Sequence, residues 1–200
     1  MLLDNKTNIG NNQFNKIFDF IKKYIGSGKI NIVTGYFTIG AIYEFKEKFG
    51  TTERFRLILG NLVSKNDMKN KVIDLMRDNL NIDEIFQIST KSKKVIEFIN
   101  QENVQIKHIT DCFCHAKTFI YEEDDERNKF YIVGSSNLTE PGMGLIDTSN
   151  IELNIAKTGG DIDFKEVLDW FNKLWINTAK NEVKTSETKK VDIKKYFIEK

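Results

Sequence analysis

No stretch of this 200-residue, 23.3 kDa chain stays apolar for more than a few residues, so no membrane-spanning helix is expected. The opening MLLDNKTNIGNNQF has no basic start leading into an apolar run, so no secretory leader is expected either. Cysteine is scarce. Cys112 and Cys114 are the only two, which cannot make a disulfide framework, and the expected location is a reducing cytoplasm. Proline occurs once, at Pro141, and neither a repeat nor a low-complexity tract is visible. Charge of one sign is missing as well: 30 basic against 29 acidic residues leave a net +1. That excludes a whole-molecule basic field for nucleic acid, while a local basic groove stays open. What the chain does hold is a globular composition, 40% hydrophobic and 12% aromatic, enough to bury the core of one domain.

Helix and strand patterns alternate along the body. Phe14, Ile17, Phe18 and Ile21 share one face of a helix expected from Phe14 to Tyr24, and GSG ends it. Lys29 to Thr34 and Arg54 to Leu59 read as strands, with a helix from Ile39 to Phe49 between them. Helices are expected from Ser64 to about Leu80 and from Lys91 to Ile99, the latter capped by Thr90. Strands follow at Val104 to Ile109, His115 to Tyr121, Lys129 to Val133 and Ile151 to Ala156, and an amphipathic helix from Phe164 to Trp175 closes the set. The pattern predicts an α/β fold, a mixed sheet of six or seven strands with helices on both faces. Residues 1–179 form the expected domain. Residues 180–200, with seven lysines against four acids, read as a charged tail or a linker to a further domain.

With two histidines in the chain, each can be weighed singly. His108, in IKHIT, has no chemical partner nearby and reads as a strand residue. His115 opens His-Ala-Lys-Thr-Phe-Ile-Tyr. In a strand His115 and Lys117 point the same way, with Cα atoms about 6.5–7 Å apart. An imidazole and an ammonium so placed can meet one phosphate, although a lone His-x-Lys is more often an ordinary exposed pair. Gly134-Ser135-Ser136-Asn137 ends the next apolar strand. Its glycine would let backbone approach a ligand, and Ser135 and Asn137 would bond phosphate oxygens, but the same residues also favour plain turns. In Asn150 to Ile155, Ile151, Leu153 and Ile155 face one way, Glu152 and Asn154 the other. A strand carboxylate usually meets solvent. It can instead orient a histidine by accepting its Nδ1 proton.

His115-x-Lys117, then GSSN at 134–137, then Glu152 on a strand: in that order these elements resemble the phospholipase D superfamily, over roughly Phe14 to Trp175. Residues 33–37, VTGYF, are similar to the branch found as nuclease-like modules in bacterial helicases and restriction-type enzymes. One position departs from the pattern. Five residues after the lysine the family usually carries Asp, and this chain has Glu122, followed by an acidic stretch. The resemblance implies a phospholipase D-like mixed sheet between helices and a metal-independent phosphodiesterase with no cofactor. One histidine attacks phosphorus to form a phosphohistidine and a second protonates the leaving oxygen, while lysine, serine and asparagine hold the phosphate oxygens. The implied catalytic residues are His115, Lys117, Ser135, Asn137 and Glu152. Because the chain carries the motif once, the mechanism implies a homodimer with two His115 side chains meeting across a two-fold axis.

DNA is the implied substrate, and no membrane partner is expected. Arg54, Arg56, Lys91, Lys93 and Lys94, with the aromatics Tyr36 and Phe37, are candidates to hold its backbone, against the commoner reading of a charged helix face. The alternative is a weakly active or inactive module for DNA binding or dimerisation in a larger helicase-like protein, with Glu122 as its mark. A zinc site built on Cys112, Cys114 and His115 does not fit a recurring ligand spacing, and buried free thiols are the favoured reading there.

Overall fold

The apolar, β-branched runs pair as strands, and the helices between them bury apolar stripes against the sheet. The computed structural model describes residues 1–6, 8–9, 12–13, 15–35, 37–60, 82–109 and 114–180. Its strands are β1 (Leu2–Asp4), β2 (Asn8–Ile9), β3 (Asn12–Gln13), β4 (Asn15–Lys16), β5 (Lys29–Thr34), β6 (Arg54–Leu59), β7 (Val104–His108), β8 (Thr118–Glu122), β9 (Phe130–Gly134) and β10 (Leu153–Thr158). The helices are α1 (Ile17–Tyr24), α2 (Ile39–Gly50), α3 (Ile82–Ile99), the one-turn α4 (Glu140–Met143) and α5 (Ile162–Lys180). β2 and β3 make a small ladder of their own. The other eight strands form one mixed sheet in the order β4-β1-β10-β9-β8-β5-β6-β7, so the expected six or seven strands become eight. The additions are β1 and β4 at the edge beyond β10, short segments without an apolar alternation to announce them.

Within the sheet β5, β6 and β7 run parallel, as helical crossovers require, and β8, β9 and β10 meander antiparallel. β1 pairs antiparallel with β10. This topology brings the C-terminal ends of β5, β6 and β9 and the N-terminal ends of β8 and β10 to one end of the sheet. On one face α1, α2 and α3 cover the larger core, where Phe45, Phe49, Phe55 and Phe98 stack edge and face. On the other face α5 lays Phe164 and Phe171 over Val33, Ile58 and Ile120.

Thr38 caps α2, its hydroxyl accepting from Ala41 N–H at 3.3 Å. α1 begins at Ile17 rather than Phe14, because Asn15 and Lys16 pair with β1. α3 does not start at Thr90. It runs from Ile82, since IDEIFQIS contains neither glycine nor proline and a potential cap residue inside a helix does not interrupt it. The helix expected from Ser64 to Leu80 and the tail beyond Lys180 lie outside the described residues. No helix among the described residues is long and apolar enough to cross a membrane.

Candidate active site

Residues 114–116 cross the end of the sheet, and the chain meets the ladder at Lys117, whose carbonyl accepts from Gly134 N–H at 3.2 Å. Cys114 N–H donates to Gly60 O at 3.2 Å, just beyond β6, and β8 begins only at Thr118. The His115–Lys117 pair is therefore not two parallel side chains of one strand, as the alternation predicted. His115 is exposed, whereas Lys117 is 4% exposed and folds back, its ammonium donating to the carbonyl of His115 at 2.7 Å. Burial pushes the Lys117 ammonium below its ordinary value, and Cys114 and the Glu152 carboxylate oppose that shift.

Asn137 and the Lys117 ammonium both lie close to Gly35. A Cβ built on Gly35 would lie 3.1 Å from Asn137 Oδ1, tighter than an ordinary contact, and in van der Waals contact with Lys117 Nζ at 4.0 Å. Gly35 N–H donates to Asn137 Oδ1 at 3.0 Å and the Thr34 hydroxyl to the same oxygen at 3.2 Å. With the oxygen so engaged, the amide's Nδ2 is the part left to donate, as an anionic oxygen requires. Thr34 also accepts from Leu138 N–H at 3.0 Å, tying the end of β5 to the segment after β9.

Ser135 and Glu152 form a pair. The Ser135 hydroxyl donates to Glu152 Oε2 and accepts from Leu153 N–H at 3.0 Å. Its proton is thus engaged with the carboxylate, so Ser135 acts on Glu152 rather than offering a free donor to a phosphate. The glycine before it has a different task from the one expected. A Cβ on Gly134 would meet Asn154 Oδ1 at 2.2 Å and Leu153 O at 2.5 Å, so Gly134 makes room for β10 rather than for a ligand.

His115, Lys117, Ser135, Asn137 and Glu152 all lie at this one end of the sheet. Glu122 does not. It closes β8 at the opposite end, about 16 Å of strand from Lys117. There its carboxylate accepts from Asn31 Nδ2 at 2.7 Å and pairs with Arg54 at 3.5 Å.

Three supports escaped the sequence reading. Asn5 is buried beside β1. Its Nδ2 donates to Pro141 O at 3.0 Å and Asn150 O at 3.2 Å, and its Oδ1 accepts from Glu152 N–H at 3.1 Å. Asn154 and Ser136 exchange two bonds beneath Ser135, Ser136 N–H to Asn154 Oδ1 at 3.2 Å and Asn154 Nδ2 to Ser136 Oγ at 2.9 Å. The GSSN-to-Asn154 spacing is a signal that strand pairing would have exposed. An asparagine in an N-terminal segment carries no such signal.

The cations divide. Arg56 is buried under α5, donating to Asn31 Oδ1 at 2.7 Å and Asn172 Oδ1 at 2.8 Å between Phe171 and Trp175, and burial pushes it down to about 10. Arg54 is engaged by Glu122. Both are engaged by partners within the protein. Phe37 packs against the core and bridges to Leu138, so it is no stacking platform. Lys46, Lys91 and Lys94 instead gather around the Tyr43 ring, at 4.0, 5.2 and 6.0 Å. Lys93 is exposed beside them, and Tyr36, Cys112 and the His108 side chain lie outside the described residues. Among the described residues no group of three or more His, Cys, Asp or Glu could hold a metal ion.

Residues 26–175 match the family model described as cardiolipin synthase, PLD-like domain. Among solved structures the chain is similar to a phospholipase D family member, Nuc from Salmonella typhimurium. The two are 13% identical, with a TM-score of 0.47, over 80% of this chain and 86% of that one. No curated protein matches it.

Proposed function

The chain belongs to the phospholipase D-like domain family, whose chemistry is of the phosphodiesterase type, and from that premise we propose that it is a metal-independent DNA endonuclease acting as a homodimer. The observation that carries the reading is the gathering of a buried Lys117 ammonium, an oriented Asn137 amide and the Ser135–Glu152 pair beside exposed His115. In this reading His115 of one subunit attacks phosphorus, forming a P–N bond as the P–O bond to the leaving oxygen breaks. His115 of the other subunit gives that oxygen its proton, then takes one from the water that hydrolyses the phosphohistidine. Lys117 and Asn137 stabilise the charge on the phosphate oxygens. Glu152, held by Ser135 and Asn5, positions the charges around Lys117.

DNA is favoured by the lysines around Tyr43. They lie on α2 and α3, and α2 begins where Thr38 N–H donates to Leu138 O, next to the site. A backbone leaving the site along α2 would meet them. An association with a helicase or restriction system is part of the proposal and rests on the likeness of residues 33–37. Glu122, held by Asn31 and Arg54 away from the site, supports turnover despite the changed motif residue.

The test is hydrolysis of bis-p-nitrophenyl phosphate and of plasmid DNA in EDTA. Wild type should cleave both and His115→Ala neither. Mixed dimers of the two should be nearly inactive, because each shared site needs two histidines. Loss of activity in EDTA, or turnover by His115→Ala, would overturn the mechanism. Binding of DNA without cleavage would mark the chain as a non-catalytic module.

A further inference from the structure

The face of the sheet that α5 covers carries cations where apolar packing would be the ordinary filling. Arg54 and Arg56 are two apart on β6, so both side chains leave the strand on this face, with Cα atoms about 6.5–7 Å apart. Arg56 is 7% exposed and sits against the rings of Phe171 and Trp175. Lys107 on β7 reaches the same helix. Its ammonium donates to Trp175 O at 3.0 Å and lies 4.2 Å from the centre of the Trp175 ring. Burial lowers the pKa of both Arg56 and Lys107, and a neighbouring cation lowers each further, Arg54 for Arg56 and Arg56 for Lys107.

Counter-charge does not match this gathering. Among the described residues Glu122 is the only carboxylate paired with these three cations, and it meets Arg54 at a long 3.5 Å while accepting from Asn31 at 2.7 Å. Glu53 nearby is taken by Lys29 at 3.3 Å, and Asp169 on α5 is exposed and pairs with Lys173. The partners of Arg56 are the amide oxygens of Asn31 and Asn172, which fix its direction without neutralising it. Arg54 Nε is buried and has no hydrogen-bond partner among the described residues. A buried cationic donor without an acceptor is costly, and an anion at this place would remove the cost.

We infer that Arg54 and Arg56 form a binding site for a phosphate group, on the α5 face of the sheet and apart from His115, with Lys107 adding to its field. The inference does not depend on the phosphodiesterase reading. Guanidinium forks match phosphate oxygens two at a time. Arg56, held by two asparagines, is the fixed half of the site. The Arg54 side chain is 34% exposed and its contact with Glu122 is long, so it is free to turn its fork onto an anion arriving from solvent, which gives Nε–H its acceptor. Three cations sharing one carboxylate suit a dianion better than a second carboxylate. The Trp175 ring is already engaged by Arg56 and Lys107, so a nucleobase has no stacking face there, and the group recognised is the phosphate itself. It comes either as free phosphate or as a monoester whose organic part stays in solvent.

Trp175 makes the site readable. The chain has two tryptophans, so Trp170→Phe leaves Trp175 as the sole indole, and an anion drawing on Arg56 beside that ring should change its emission. The full chain in this background is titrated with inorganic phosphate, acetate and AMP at constant ionic strength. Phosphate should give a saturable change and acetate none. Arg54→Ala should weaken phosphate binding about tenfold or more, the loss of one charged fork, while keeping its thermal midpoint in chloride within about 4 °C. Arg54→Lys should recover part of the affinity, and Lys117→Met should leave the curve unchanged. AMP titrating like phosphate supports the site with a monoester as ligand, and AMP inert beside active phosphate supports it with free phosphate. No saturable change, an equal response to acetate, or a curve lost in Lys117→Met and kept in Arg54→Ala would overturn the inference.

Discussion

Replacing Lys117 by methionine should separate stability from activity. The side chain is buried and its ammonium makes one hydrogen bond, to the His115 carbonyl at 2.7 Å. A bond from a charged donor contributes about 1.5–3 kcal/mol, but the ammonium also bears the desolvation that pushes its pKa down. The two oppose each other, the freed carbonyl belongs to an exposed residue that water can reach, and methionine fills a similar volume. The net change should stay within about 1 kcal/mol, a shift of roughly 2–4 °C in thermal midpoint for a domain of this size. Catalysis has no such compensation. Losing the cation beside the phosphate should cost at least 10²-fold in kcat/KM by analogy with the loss of one oxyanion donor, and leaves the Glu152 carboxylate unopposed.

The wild-type pH profile gives an independent reading of the same group. In the proposed mechanism Lys117 works as a cation, so activity present below its pKa should be lost as pH rises through it. Because burial lowers that pKa, the basic limb should fall below the ordinary lysine value of 10.5, and Lys117→Arg should move it up. The linkage to stability runs the other way. Between the lowered folded value and 10.5 the unfolded chain binds more protons, so Lys117 contributes stability that rises with pH through that window. Hydrolysis of bis-p-nitrophenyl phosphate in EDTA and thermal unfolding, run on both variants, check the reasoning. Activity of Lys117→Met within tenfold of wild type, or a midpoint more than about 8 °C lower, would show that Lys117 holds the fold rather than the phosphate.

Glu122→Asp, which restores the residue usual in the family, should leave kcat/KM within about threefold, since the position is a strand length from the site. The same change should lower the thermal midpoint by a few degrees as the shorter carboxylate draws away from Asn31, and a large gain in activity would refute this placement. Tyr121→Phe should cost about 2–4 kcal/mol in urea unfolding, because the buried hydroxyl accepts from both Gly26 and Gly28 N–H, at 2.8 and 2.9 Å, and two donors would lose their partner. A loss under 0.5 kcal/mol would mean that water satisfies both.

β5 and β6 were legible to the residue, because each is a dense apolar run bounded by turn residues. The edge strands were not: two- and three-residue segments take their structure from pairing, which local sequence does not encode. β10 shows a second limit. Alternation told which of its residues share a face, and the usual burial of apolar residues pointed to the wrong face. At the site, His115-x-Lys117, GSSN and Glu152 come from segments that the topology brings to one end of the sheet. The contacts of Gly134 and Ser135 were not legible because both turn on a neighbour, β10, that is distant in sequence. The placement of His115 and Lys117 assumed a strand that begins three residues later, since Cys114 bonds to the end of β6 and the ladder takes up the chain only at Lys117, whose carbonyl accepts from Gly134 N–H.

Asn5 reaches partners 136, 145 and 147 residues away in sequence. β1 is therefore made well before β10, the last strand of the sheet, with which it pairs. Until then β9 presents a bare edge and Glu152 has neither Asn5 nor a neighbouring strand to hold it. Loop closure over such spans is slow, and an open edge in that interval invites pairing with other chains. In the proposed mechanism a chain lacking either β1 or β10 leaves Glu152 without its Asn5 contact, so the centre should assemble only once the two strands have paired.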